Sequence, residues 1–325
     1  MGFILRRLGF YLVAFWVSIT LNFVLPRLMP GDPVSRMVAR LQGQIQPDQI
    51  EALRASFGLD DAPLWLSYLR YWGQLFSGDM GFSISRFPTP VTEVIAGQIG
   101  WTVLLGLTAL IIAFVVGNLL GILAAWRRGS VFDSALPPVL IFIGSFPYFW
   151  LAMGALWLFG VTLGWFPLRH AFTVGTVPEF SLAFIADVAY HLVLPALTIV
   201  LVSIGGWMLG MRNTMIATNA EDYIVMAEAK GLKPNRIMLR YAARNAMLPS
   251  VTAFGMSLGF VVGGALLTEV VFAYPGVGYQ LLSAVQNLDY PLMQGLFLTI
   301  TTAVLAANFL VDILYVRLDP RVRVN

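Results

Sequence analysis

Six stretches without a charged side chain, at 8–26, 94–126, 134–168, 188–211, 245–268 and 290–311, constrain this chain more than any other feature. Each reaches or exceeds the ~17–25 residues that cross about 30 Å of hydrocarbon as a helix. A water-soluble fold cannot bury so much apolar helix. Charged residues make up 11% of the sequence and hydrophobic ones 58%, whereas about a quarter of a soluble domain is charged. The expected class is an all-α integral membrane protein with six transmembrane helices, and an even number puts both termini on one side.

The second and third runs are long, but neither contains a polar turn, so each counts as one span. Pro137, Pro138, Pro147 and Pro167 in the third run read as helix ends and kinks. The N-terminal order of Arg6 and Arg7 before an apolar run resembles a signal peptide. No small-x-small cleavage site follows, so it reads as a retained first helix.

Thirteen of the 20 Lys and Arg residues fall on the N-terminal side: Arg6, Arg7, Arg127, Arg128, the six from Arg212 to Arg244, and Arg317, Arg321 and Arg323. Opposite them, five lie in the 30–98 loop, whose ~69 residues are too long to weigh under the positive-inside rule; the other two are Arg27 and Arg169. Both termini and the 212–247 loop are therefore expected in the cytoplasm. The resulting organisation is a first span within 1–29, an extracytoplasmic loop at 30–98, a core of five spans over 99–316 including the 212–247 loop, and a cytoplasmic tail at 317–325. In the outer loop, helices are expected to open at Pro47 and Pro63. The second carries an aromatic stripe of Trp65, Tyr68, Leu69, Trp72 and Phe76, suited to a membrane interface, to packing on the outer helix ends or to a receptor's docking surface.

The segment from Asn219 to Pro249 is the polar exception among the last spans, and it holds the only two lysines. Asn219 suits an N-cap, Glu221 and Asp222 the first turn, Lys230 the last turn, Gly231 a left-handed stop, and Pro234 the first position of a second helix. On that second helix Arg236, Arg240 and Arg244 recur every four residues as a basic face. The pattern of a basic helical pair also suits DNA binding, but its tether between two spans argues against nucleic acid. The apolar residues Tyr223, Ile224, Val225, Met226 and Leu232 suit a pocket in a cytoplasmic partner, with Glu228 and Lys230 at its rim.

These residues resemble the EAA coupling loop of binding-protein-dependent ABC importer permeases through Ala227, Glu228, Ala229, Lys230 and Gly231. Val225 stands where that motif has its Glu, and the later Leu248 and Pro249 resemble the peptide and nickel branch. PRLMPGDPV, FGLDDAPLWLSYLRYW, GDMGFSISRFPTPV and EVVFAYPGVGYQLL extend the resemblance to the B-type subunit of oligopeptide and dipeptide permeases. The resemblance implies a type I importer-like permease translocating di- or oligopeptides by alternating access. It implies a C-type permease, two ABC ATPase domains and an extracytoplasmic solute-binding protein as partners, with Tyr223, Ile224, Met226, Ala227, Glu228, Ala229, Lys230, Gly231, Leu232 and Lys233 as the ATPase-coupling residues. Importers of oligosaccharides or nickel complexes share the branch.

No ATP site is expected in this chain. A phosphate-binding loop needs a lysine between Gly and Ser or Thr, whereas Lys230 lies between Ala229 and Gly231 and Lys233 between Leu232 and Pro234. The chain is therefore not expected to be an enzyme or to hold a cofactor, ATP and Mg belonging to partner subunits. With no cysteine, two histidines (His170 and His191) and hardly an ionisable group inside the runs, metal binding, intramembrane catalysis and ion-coupled transport lack their usual residues. Glu269 and Asp312 close the fifth and sixth runs and are expected to be wet or paired. Asn22, Asn118 and Asn308 read as interhelical hydrogen-bonders, and Ser257, Gly259, Gly263 and Gly264 as a small-residue face for close helix contact.

Overall fold

The charge-free runs become long helices. The computed structural model describes residues 2–30, 62–259, 261 and 265–318. In order these form α1 (Gly2–Leu28), α2 (Leu64–Ser77), α3 (Val91–Trp126), α4 (Val131–Gly144), α5 (Tyr148–Ala155), α6 (Leu182–Asn219), α7 (Asp222–Ala229), α8 (Pro234–Arg236), α9 (Ala243–Leu258), α10 (Leu266–Val271), α11 (Val277–Asn287) and α12 (Tyr290–Leu318). A π-helical segment, Leu156–Thr162, extends α5, and another, Ile237–Ala242, joins α8 to α9. No strand occurs among the described residues.

Four helices are long and apolar enough to cross a bilayer: Arg6–Leu28, Val91–Trp126, Leu182–Asn219 and Tyr290–Ile313. The third run, expected as one kinked span, is broken near its middle. Ser145 and Phe146 interrupt it, Pro147 opens α5, and the two halves meet at 93°. Counted as one broken span they make five. At the expected 245–268 span the described helix stops at Leu258, with residues 260 and 262–264 outside the described part. Gly263 and Gly264 fall there too, as do Pro47 and the helix expected from it.

The chain forms two units, residues 1–102 with 275–325, and residues 103–274. In the first, α1 packs along α12. Asn22 Nδ2 donates to the Gln294 carbonyl at 2.9 Å, and Asp312 accepts from Tyr11 at 2.7 Å and pairs with Arg7 at 3.2 Å. Both Asn22 and Asp312 thus serve as read from sequence. The helix α2 packs onto α1 through Tyr71, Tyr68, Trp72 and Leu75, against Ile19 and Phe23. Its stripe is divided: Tyr68 and Trp72 pack inward beside the buried Tyr71 and Ser67, while Trp65, Leu69 and Phe76 are exposed. Burial pushes the Tyr71 hydroxyl up to about 12, with the Arg27 charge opposing it.

A buried carboxylate holds the segment before α3. Asp289 is fully buried and accepts from the Ser83 and Ser85 hydroxyls at 2.5 and 2.6 Å, and from the Ile84 and Ser85 amides at 3.0 and 2.8 Å. It also caps α12 by accepting from the Leu292 amide at 3.2 Å. Nothing in the local pattern around Asp289 announced the Ser83–Ser85 partners, about 205 positions away.

In the second unit, glycines let helix backbones approach. A Cβ on Gly117 or Gly121 of α3 would meet α6 at 2.6 and 2.5 Å, and one on Gly205 of α6 would meet the Leu140 carbonyl of α4 at 2.9 Å. The start of α4 is pinned to α6 by Asp133, which takes Arg212 Nε at 2.5 Å and Nη2 at 3.0 Å. Ser130 caps α4 through the Asp133 amide, and the Gly129 amide donates to the Asp133 carboxylate. Glu269, expected to be wet or paired, is fully buried. Asn118 differs from its expected interhelical role, since its Nδ2 donates at 2.7 Å to the Phe114 carbonyl of its own helix.

Candidate coupling site

The polar segment between α6 and α9 is one folded turn set on the ends of α3 and α6. Asn219 does not cap it. That residue is the last of α6, and α7 begins after Glu221, whose side chain makes no cap bond. The helix is held at its other end: Gly231 takes φ +68°, its amide donates to the Glu228 carbonyl at 2.8 Å, and the Leu232 amide donates to the Ala227 carbonyl at 3.3 Å. This pair of bonds is the Schellman stop, which satisfies the last carbonyls of a helix when the residue after the cap is left-handed. Pro234 then opens α8 at its first position, where a missing amide costs nothing.

The turn's apolar residues divide between two faces. Ile224 and Ala227, 2% and 3% exposed, join Ile122, Ala125, Met211, Met215, Ile237, Ala242 and Ala246 in one core, with Leu232 packed against it. Neither Ile224 nor Ala227 can therefore fill a partner's pocket, and Leu232 is half-buried. Their spacing of three puts them on one side of a two-turn helix, and that side faces the molecule's own interior. Burying an Ile side chain contributes about 1.5–3 kcal/mol, enough to seat so short a helix. Outward face Tyr223, Val225 and Met226, with Glu228, Ala229, Lys230 and Lys233. The Tyr223 hydroxyl accepts from Asn245 Nδ2 at 2.9 Å, tying α7 to α9.

The same unit contains an open groove of about 500 Å³ between α3, α6 and α9, lined mainly by apolar residues with Ser203, Trp207 and Ser257 among them. No group of three or more His, Asp or Glu residues able to hold a metal ion occurs among the described residues. His191 is buried, its Nδ1 2.9 Å from the Asp187 carbonyl oxygen. Lys230 caps the end of α7, and Lys233 stands at the N-terminal cap of α8.

Residues 117–324, which include the turn and both its flanking helices, match the family of binding-protein-dependent transport system inner membrane components. The chain belongs to this family. The permease is 39% identical to a provisionally named peptide permease protein of Brucella suis biovar 1, over 94% of this chain and 93% of that one. It is 36% identical to the dipeptide transport system permease protein of Escherichia coli K12, over 99% and 98% of the two chains. It is 34% identical to the oligopeptide transport system permease protein of Bacillus subtilis, over 93% of each. Membership accounts for the long apolar helices: this is a multi-pass inner-membrane component of a transport system.

Sequence reasoning located the turn but missed the Asp133–Arg212 pair beside it. Asp133 was legible only as the acidic residue just before a charge-free run. Its partner lies 79 positions away.

Proposed function

We propose that the permease is a transmembrane subunit of an ATP-driven, solute-binding-protein-dependent importer of di- and oligopeptides, working by alternating access. The relatives' shared peptide names favour this substrate over oligosaccharides or nickel complexes. In this reading six spans place both termini and the 212–247 loop in the cytoplasm, and the 30–98 loop faces the solute-binding protein. A C-type permease completes the pore, and ATP and Mg are held by two ATPase domains in partner subunits. This chain itself catalyses nothing.

The observation that carries the reading is the two-faced α7. Its exposed Tyr223, Val225, Met226, Glu228, Ala229, Lys230 and Lys233 form the surface seated in an ATPase groove, while Gly231 ends the helix at a defined point. Ile224, Ala227 and Leu232 contribute differently from the outward residues, as the root that passes a displacement of α7 to the ends of α3 and α6. A turn packed by its own core moves as a body rather than bending. The groove between α3, α6 and α9 is this chain's contribution to the translocation path.

The test is purification of the permease from its native membrane in mild detergent, with mass spectrometry of what accompanies it, beside the Glu228→Ala/Lys230→Ala variant. Both substitutions leave the buried root untouched. A second permease and ATPases should accompany the wild type, and only the ATPases should be lost in the variant. A lone chain or a homo-oligomer from wild-type membranes would refute the reading.

A further inference from the structure

Three guanidinium groups remain without a role in the turn. Arg236, Arg240 and Arg244 are exposed, and among the described residues none of their guanidinium groups has a hydrogen-bond or ion-pair partner. They run from α8 through the π-helical segment into α9. Beyond Arg244 the same side of α9 is apolar and exposed: Leu248 at 67%, Val251 at 50% and Leu258 at 42%. At 100° per residue these three lie within about 40° of Arg244. The opposite side carries Ala243, Ala246 and Ser250, which are buried, the first two in the core shared with α6 and the last against Met211.

One side of a continuous helical run thus turns from cationic to apolar between Arg244 and Leu248, over about 6 Å of rise. A bilayer presents that change: its headgroup layer is ~5–8 Å deep on each side of the hydrocarbon. Arg240 and Arg244 are about 6 Å apart along the axis, so both fit within one headgroup layer, and a long Arg stem lets the group snorkel outward. A second basic pair, Arg127 and Arg128, is exposed just past Trp126, which packs on the same core as α9. Both basic groups thus adjoin residues of that core.

We propose that Arg236, Arg240 and Arg244 form a binding site for the headgroup phosphates of anionic phospholipids. The planar guanidinium offers paired N–H donors to phosphate oxygens and stays charged at every physiological pH. The apolar stripe of Leu248, Val251 and Leu258 lies against the acyl chains of the same lipids. The site requires only that α9 enters the bilayer and is independent of what α7 binds. It assigns the row to lipid, and leaves the outward face of α7 free for a protein.

The complex isolated with its partner subunits is reconstituted in nanodiscs of phosphatidylcholine alone or with phosphatidylglycerol at roughly 7:3. Thermal midpoints are compared, and lipid carried through detergent exchange is counted by mass spectrometry. Phosphatidylglycerol should raise the wild-type midpoint and be retained preferentially. Each arginine near a charged surface is worth roughly fivefold, so R236Q/R240Q/R244Q should lower that preference by about a hundredfold. The corresponding triple Lys variant should keep most of it, and roughly 0.5 M salt should weaken it in the wild type. A wild-type complex indifferent to phosphatidylglycerol overturns the proposal without recourse to any variant. So does undiminished lipid preference in the Gln variant, or loss of a protein subunit from it with lipid retention unchanged.

Discussion

Replacing Gly121 by alanine tests the helix contact on which the coupling turn rests. The added Cβ would lie 2.5 Å from the Met208 carbonyl oxygen, 2.8 Å from Met211 Cβ and 3.0 Å from the Arg212 amide nitrogen. Two of these are backbone atoms and the third is fixed to backbone, so no rotamer change relieves the overlap. Ordinary contact begins near 3.4 Å, which leaves the carbonyl about 0.9 Å too close and forces α3 from α6. Overpacking of this kind costs about 1–3 kcal/mol, and the helix-propensity gain of alanine over glycine offsets at most ~1 kcal/mol. A net loss of about 1–2 kcal/mol corresponds to roughly 2–8 °C in apparent midpoint for a unit of this size. The matched control is Gly210→Ala on α6, where a Cβ meets nothing within 4 Å; it should be neutral or slightly stabilising. Thermal scans in nanodiscs measure the difference, and uptake per ATP hydrolysed should fall for Gly121→Ala because the displaced residues carry α7. Equal midpoints and equal coupling for the two variants would refute the reasoning.

At Gly231 the space around a new Cβ is open, so only the left-handed backbone opposes substitution. Valine should cost about 1–2 kcal/mol and lower uptake per ATP, whereas asparagine, which tolerates that conformation, should stay close to wild type in the same uptake and ATPase assays. Removing the charge of Asp133, as in Asp133→Asn, weakens the bidentate hold on Arg212 and should cost about 2–3 kcal/mol. The pair Asp133→Leu with Arg212→Met should recover most of the midpoint lost in Asp133→Leu alone. Asp289→Ala strips the acceptor from two amides and two hydroxyls of the Ser83–Ser85 segment. It should cost at least ~3 kcal/mol and expose that segment to hydrogen exchange; wild-type exchange at Ile84 and Ser85 in this variant would contradict the latch.

What the sequence determined by itself is whatever follows from local chemistry. Charge-free length sets which segments become membrane-length helices, because a backbone in hydrocarbon must satisfy its own hydrogen bonds; α3, α6 and α12 each contain their run. A left-handed stop at Gly231 and a helix start at Pro234 follow equally, since each depends on one residue's own backbone freedom. The tertiary structure alone decided the rest. Prolines 137, 138, 147 and 167 marked a weak point in the third run, but its 93° bend is fixed by the packing of α4 and α5 on α6. The inward turn of Ile224 and Ala227, the division of the aromatic stripe of α2, and the partners of Asp133 and Asp289 all depend on residues tens to hundreds of positions away. Periodicity tells which residues share a side of a helix; which side is buried depends on the neighbour that comes to lie against it.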